Sequence, residues 1–540
     1  MADEKLFGVM EKGLKKVLDA KYNNKILSPF FTSISTKNKR ELLFKIKNGG
    51  VINEEFSEDD PIQGRIEVRI GDYKKGGGFG TEEIILPTNI NETGSMRELI
   101  RGFNKAYWDA SEDYNIRKQK NIEYKGLRDV FLYFSEEEPI KYIARDKKNL
   151  DVTGIYQDLE ERLSEVSAKL LKKEVLNTNI SCRVTQIKRY LINSEGTKVF
   201  TPFLNYAINL TIEMLNKENL VIPLSRLLSG RDYTKLPNNE TLIELGEKLI
   251  EDLNEIKDAP VEVHGVYPLL SEGHFGGFVA HEGAGHILEG VIMQQDIRER
   301  FQERKVNIFE NKIGKKVAPD FISLYDDPLI PNSYTYHFID EEGVKAEKVE
   351  LIKNGILKNY LTSRQSAGYL GIKSNGHGLA QDTLSPVSRM SNLILESEKV
   401  YSFDKLKEKM IKICINKKIP YGLIMRRASH GCIDYENSLL TVYPAYTFRI
   451  YPGRKKLERV RDAYMIGTVY TLLNKIVATT DQYVFDDGTC GSLSGEIPST
   501  TYAPGILFES AEIGSLQRDI LDRPGRPIVR IPRKYFRNKK

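Results

Sequence analysis

Residues 280–290 read Ala280-His281-Glu282-Gly283-Ala284-Gly285-His286-Ile287-Leu288-Glu289-Gly290. The chain has 540 residues and seven histidines, and four of them fall between positions 264 and 286: His264, His274, His281 and His286. Such clustering of a scarce residue points to a metal, because neutral imidazole is the commonest metal ligand. A glutamate directly after the first histidine is the arrangement in which helical zinc peptidases place a general base. The spacing, however, departs from that pattern. Histidines at i and i+4 lie about 40° apart on an α-helix, whereas i and i+5 diverge by about 140°. A regular helix cannot close one site with that pair. Two backbone solutions exist. A π-bulge lowers the local turn angle and is frequent at functional sites, and glycines such as Gly283 and Gly285 tolerate a break. The flanking Phe275, Phe278 and Val279, and then Ile287, Leu288, Val291 and Ile292, are apolar, so the element reads as buried. Spacing leaves the third ligand open among His264, His274 and Glu289.

A second feature lies some 200 residues downstream, in Asp486-Asp487-Gly488-Thr489-Cys490-Gly491-Ser492-Leu493-Ser494-Gly495-Glu496-Ile497-Pro498. A free cysteine usually sits in a core. One among turn residues, as a thiolate, can reach a metal. The other cysteines are Cys182, Cys414 and Cys432, too few and too scattered for a disulfide framework, which fits a reducing cytoplasm. No Cys-x-x-Cys occurs, so dithiol redox chemistry is disfavoured.

Outward from these motifs, the chain reads as α+β in two domains, 1–235 and 236–540, with the metal site in the strand-rich C-terminal half. Residues 1–20 and Ser95 to about Asn121 read as helices, as does Gly154–Glu174, where Tyr156, Leu159, Leu163, Val166 and Leu170 share a face. Alternating segments at 42–46, 64–70, 83–86, 182–192 and 206–214 read as strands, in a mixed order unlike a doubly wound sheet. The run Lys74-Lys75-Gly76-Gly77-Gly78-Phe79-Gly80 lacks the closing Gly-Lys-Ser/Thr of a phosphate loop and reads as a loop or hairpin connection. Residues 223–240 read as a connector followed by a helix to Ile256, and further helices are expected near 278–305 and 403–416. From Arg523 onward, eight Lys/Arg and no acid form a basic tail.

Lys+Arg 80 against Asp+Glu 75 leaves a formal net charge of +5, too small over this length to suggest a nucleic-acid surface. No apolar run approaches the roughly 18–20 residues of a membrane span. The amphipathic N-terminus lacks the pattern of a signal peptide. A cytoplasmic location follows as the expectation.

The chain resembles the TldD/PmbA metallopeptidases, specifically the metal-bearing, TldD-like branch. His281-Glu282-x-x-x-His286-x-Leu288-Glu289-Gly290 looks like the family's metal motif, and Asp487-Gly-Thr-Cys490-Gly with Glu496-Ile-Pro498 like its later Cys-Gly segment. Ile352 to Leu361, Arg389-Met-Ser-Asn392 and the Arg97–Tyr114 helix with Ala106-Tyr107-Trp108 also look like family segments. The resemblance implies a zinc-dependent peptidase with one Zn2+ per chain, held by His281, His286 and Cys490. It hydrolyses short or unfolded peptides by metal-activated water, with Glu282 as general base. It also implies a dimer, either a homodimer or a heterodimer with a TldE/PmbA-like subunit that lacks the ligands. The alternative is a non-catalytic, peptide-holding subunit of such a dimer. The segment Arg427-Ala428-Ser429-His430-Gly431-Cys432-Ile433 departs from the family's usual glycine-rich stretch, which makes Cys432 a rival third ligand. An oxyanion or substrate contact is expected from Arg389, His430 or a tyrosine.

Overall fold

The computed structural model describes residues 2–20, 28–57, 61–123, 130–145, 152–231, 236–294, 308–435, 437–454 and 456–515. The basic tail from Arg523 lies outside the described residues.

Alternating side chains in the first half build an eight-stranded sheet. Its spine runs Gly76–Leu86, Ile62–Asp72, Pro29–Lys47, Asn177–Asn193 and Lys198–Leu215, with Lys141–Ile143 at the far edge. Gly50–Ser57 pairs beside Pro29–Lys47, and Val221–Gly230 beside Lys198–Leu215. Pairing is antiparallel except at Lys141–Ile143. The expected connector at 223–240 is therefore corrected in its first part, which is a strand. Pro223 is tolerated there because the strand lies at an edge, where one side of its backbone needs no ladder partner.

The helix Glu92–Glu123 buries Leu99, Phe103, Ala106 and Ala110 against this sheet. The glycine run makes that packing possible. A Cβ on Gly78 would sit 2.3 Å from the Ala110 carbonyl oxygen, and one on Gly80 2.1 Å from that of Ala106. The run is thus a strand crossed closely by a helix, beginning just after the hairpin turn. Val152–Leu170 and Asn239–Ile256, the latter capped by the Asn238 side chain on the Thr241 N–H, cover another part of the sheet.

The second half forms a twelve-stranded mixed sheet around the long hairpin Ile476–Ser492 and Gly495–Ser515. Gly265–Ser271 pairs parallel with Gly422–Asp434 and antiparallel with Gly495–Ser515. The two halves share a hydrophobic cluster in which Leu163, Leu210 and Leu249 meet Leu270, Ile424 and Leu507. They are also joined by Arg364, which is fully buried. Its guanidinium donates to the Glu195 carboxylate at 2.6 and 2.8 Å and to the Ser135 carbonyl, while packing over the rings of Phe31 and Phe134. A charge that deep is tolerated because it is both paired and hydrogen-bonded. The architecture is α+β with two sheets.

Candidate metal centre

The strand Gly265–Ser271 delivers the chain into a helix, Gly273–Ala280, that runs on into a π-turn over His281–Gly285. The His286 N–H donates to the His281 carbonyl, five residues back. That bond resolves the spacing problem, because one extra residue in the turn carries i+5 round to the face of i. The imidazole centroids stand 4.8 Å apart with the rings at 83°. The glycines within the turn lie close to neighbouring side chains: a Cβ on Gly285 would meet Met390 Sδ at 2.2 Å. The expected helix over 278–305 is shorter, since a 3-10 turn, Gly290–Met293, follows; residues 295–307 lie outside the described part.

Cys490 comes to this face from the far hairpin. On its strand Cys490 is buried while Thr489 is exposed, so the alternation points the thiol inward. Metal-capable atoms of His281, His286 and Cys490 all lie within 4.8 Å of one another, and Cys490 Sγ is 3.6 Å from His286 Nε2. A tetrahedral zinc, with Zn–S about 2.3 Å and Zn–N about 2.0 Å, sets S and N about 3.6 Å apart. The donor set therefore fits zinc in kind and in reach.

The electrostatics match. Burial pushes the Cys490 thiol up, but the charges of His286 and His281 outweigh it and hold the thiol well below its usual value. Burial pulls His286 down, and Tyr435, Cys490 and Glu289 together raise it well above the usual range. Glu289, open as a third ligand on spacing, stands behind His286 instead. Its Oε2 is 3.0 Å from Nδ1, and its Oε1 accepts the Met390 N–H at 3.1 Å. This arrangement keeps a proton on Nδ1, so Nε2, facing Cys490, is the nitrogen that gives up its proton to take a metal. His281 Nδ1 has Ser499 Oγ at 3.4 Å in the matching position.

Glu282 is buried, with Oε2 3.7 Å from His286 Nε2. The strand Gly422–Asp434 lies over it at Gly431, where a Cβ would come within 2.5 Å of Glu282 Cγ. The glycine between His430 and Cys432 thus makes room for the carboxylate. Cys432 is exposed and outside the cluster, its thiol raised by burial and by Glu282. His430 stacks on Tyr443, with ring centroids 4.1 Å apart. Burial lowers its pKa against the opposing charge of Glu282.

Arg389, expected as a substrate contact, is wholly buried. It donates to Ser494 Oγ and the Gly495 carbonyl, each at 2.9 Å, and to the Cys490 carbonyl. Its Nε is 3.8 Å from Glu289 Oε1. These partners sit on the Cys490 hairpin and behind His286. His274 is engaged elsewhere, with Asp486 at 3.1 Å and Arg427 at 3.2 Å. His264 is exposed, just before the strand Gly265–Ser271. Two participants carried no distinct sequence signal. Ser499 is an ordinary strand serine. Tyr435 lies in a turn, its ring 6.3 Å from that of His286 and its phenol pushed up to about 12 by burial.

Residues 264–515 match the family description "PmbA/TldA metallopeptidase C-terminal domain", a span that contains the whole cluster. Over that span the chain is similar to the TldD/PmbA metallopeptidases. Its relatives include Metalloprotease MJ0996 of Methanocaldococcus jannaschii, 24% identical over 429 residues, which are 79% of this chain and 85% of that protein. A zinc metalloprotease TldD homolog of Saccharolobus solfataricus is 26% identical over 453 residues, 80% of this chain and 95% of that one. The crystal structure of TldE from Thermococcus kodakarensis superposes with a TM-score of 0.64 at 17% identity, covering 95% of this chain and all of that one. That likeness concerns the fold, and it agrees with the α+β reading. Among the described residues no helix is long and apolar enough to cross a membrane.

Proposed function

We propose that the chain is a zinc-dependent peptidase acting on short or unfolded peptides, with His281, His286 and Cys490 as ligands and Glu282 as general base. The observation that carries this reading is the buried His281–His286–Cys490 triangle with a carboxylate 3.7 Å from one of its imidazoles. Two neutral imidazoles and one thiolate leave a formal +1 on a bound zinc, which supplies Lewis acidity to the scissile carbonyl and to water. Glu282 takes the proton of the attacking water and passes it to the departing amine. Glu289 keeps His286 in one tautomer and orientation. Arg389 is a positioning residue that holds the Cys490 hairpin against Glu289. His430 and Tyr435, on the strand and turn over Glu282, are the candidates for contact with substrate. The names of the relatives support the peptidase class and zinc. A dimer, homomeric or with a TldE/PmbA-like subunit, a cytoplasmic setting and the division near residue 235 belong to the same proposal.

The test is mass-spectrometric profiling of a mixed peptide pool with and without a chelator. Cleavage is expected only with metal. Cys490→Ala abolishes both zinc retention and cleavage, whereas Cys432→Ala keeps zinc and at most shifts which peptides are cut. The reverse pattern moves the ligand to Cys432. Full zinc with no cleavage favours the non-catalytic, peptide-holding subunit.

A further inference from the structure

A cavity of about 790 Å3 lies between the first sheet and the second half, beside the Cys490 hairpin, and none of His281, His286 and Cys490 lines it. Thr489, Ile497 and Pro498 form part of its wall, and Thr489 alternates with the inward-facing Cys490. The volume falls within the range of small-molecule sites, about 300–1,000 Å3.

Seven cationic side chains line it against four carboxylates. Several of them neutralise one another: Lys37 pairs with Glu341 at 2.8 Å, and both Lys39 and Arg183 reach Glu41. Arg231 does not. Its Nε and Nη2 are sealed from water, and among the described residues no hydrogen-bond partner reaches either atom. The guanidinium lies 4.1 Å from the Phe203 ring centroid and 5.7 Å from that of Tyr336. Burial draws its pKa down to about 10, so it remains charged at neutral pH. Aromatic faces offset part of the cost of a buried cation. They leave the guanidinium charge without a carboxylate among the described residues; its third nitrogen, Nη1, is not sealed, and an anion in the cavity can accept a charge-assisted hydrogen bond from it. A buried charge without hydrogen bonds is costly to a fold, and an anionic ligand removes that cost.

We propose that this cavity binds an organic anion, a carboxylate or phosphate carried on an aromatic or aliphatic body, with Arg231 as the anchoring cation. The apolar body lies against the rings and the Ile497–Pro498 wall, and the excess of cations draws the anion in. The site is separate from the metal centre, and it stands whether or not the peptidase reading does. Gln381, which also lines the cavity, accepts the Glu496 N–H at 2.8 Å, so an occupant touches the residues that hold the hairpin turn.

The test is calorimetric titration of the full chain at low chloride with three probes: N-acetyl-Glu-Phe amide, its neutral Gln counterpart, and phenyl phosphate. At least one anionic probe should bind ten-fold or more tightly than the neutral peptide, and whichever anion binds tighter names the source of the charge. The affinity should be the same before and after chelation. Arg231→Met should weaken binding at least ten-fold without lowering the melting temperature, since it removes an unpaired buried charge. Ala207→Phe, which fills the cavity and leaves Arg231 in place, should abolish binding and decides the matter if Arg231→Met does not fold. The proposal is overturned by equal affinity for neutral and anionic probes, by binding that vanishes with the metal, by unchanged binding in Arg231→Met, or by unchanged binding in Ala207→Phe.

Discussion

Glu282→Gln lowers kcat/KM for any cleaved peptide by about 10²–10⁴, the usual worth of a positioned proton carrier. The substitution is nearly isosteric, and the pocket explains why its effect is confined to chemistry. Glu282 sits beneath Gly431 in a space cut to the carboxylate's own size, which an amide also fits. The ligand cluster does not include it, so zinc content stays as in the parent chain. The measurement is steady-state kinetics beside metal analysis and a melting curve on the same preparation. Activity within a few-fold of the parent's would show that Glu282 does not move the proton.

The second large effect is structural. Deleting Ala284 converts the histidine pair to i and i+4, the common zinc-peptidase spacing, and a naive reading expects tighter binding. The opposite is expected here. The π-turn is the device that lets His281 and His286 meet while the residues on either side stay in register with the core. Removing one residue turns everything after it by about 100° relative to everything before it. Ile287 and Leu288 are fully buried, and Val291 and Ile292 nearly so. Each large apolar side chain turned out of its place forfeits about 1.5–3 kcal/mol. Three of them remove a large part of a typical stability of about 5–15 kcal/mol. Solubility, far-ultraviolet circular dichroism and metal content of the deletion variant test this. The expected product is insoluble or metal-free. A soluble, zinc-loaded and active variant would show that the segment does not need its packed register.

What the residues disclosed, and what they withheld, follows from the range of the forces involved. The helices at 92–123, 152–170, 239–256 and 403–417 were legible because apolar periodicity is a local signal that their packing obeys. The π-turn was legible as one of two alternatives, since only an extra residue or a break could reconcile His281 with His286. The strand at 221–230 was not legible, because Pro223 and Gly230 look like a connector until the edge position is known. The glycines 76–80 were read as a connection because their role, close approach of a helix, depends on residues 106–110. Arg389 was taken for a substrate contact because an arginine near a motif carries no mark of its burial, and its partners lie about a hundred residues on, in the Cys490 hairpin. Arg231 gave no sequence signal at all. Its significance is the absence of a partner among the described residues, which only the folded arrangement of the cavity reveals.

The most direct test of the central claim is zinc-edge X-ray absorption on the purified chain. The account predicts one zinc per chain whose first shell holds one sulfur at about 2.3 Å and nitrogen or oxygen neighbours at about 2.0 Å, with the sulfur contribution lost in Cys490→Ala and retained in Cys432→Ala. A first shell without sulfur, or a sulfur shell that survives Cys490→Ala, would contradict it.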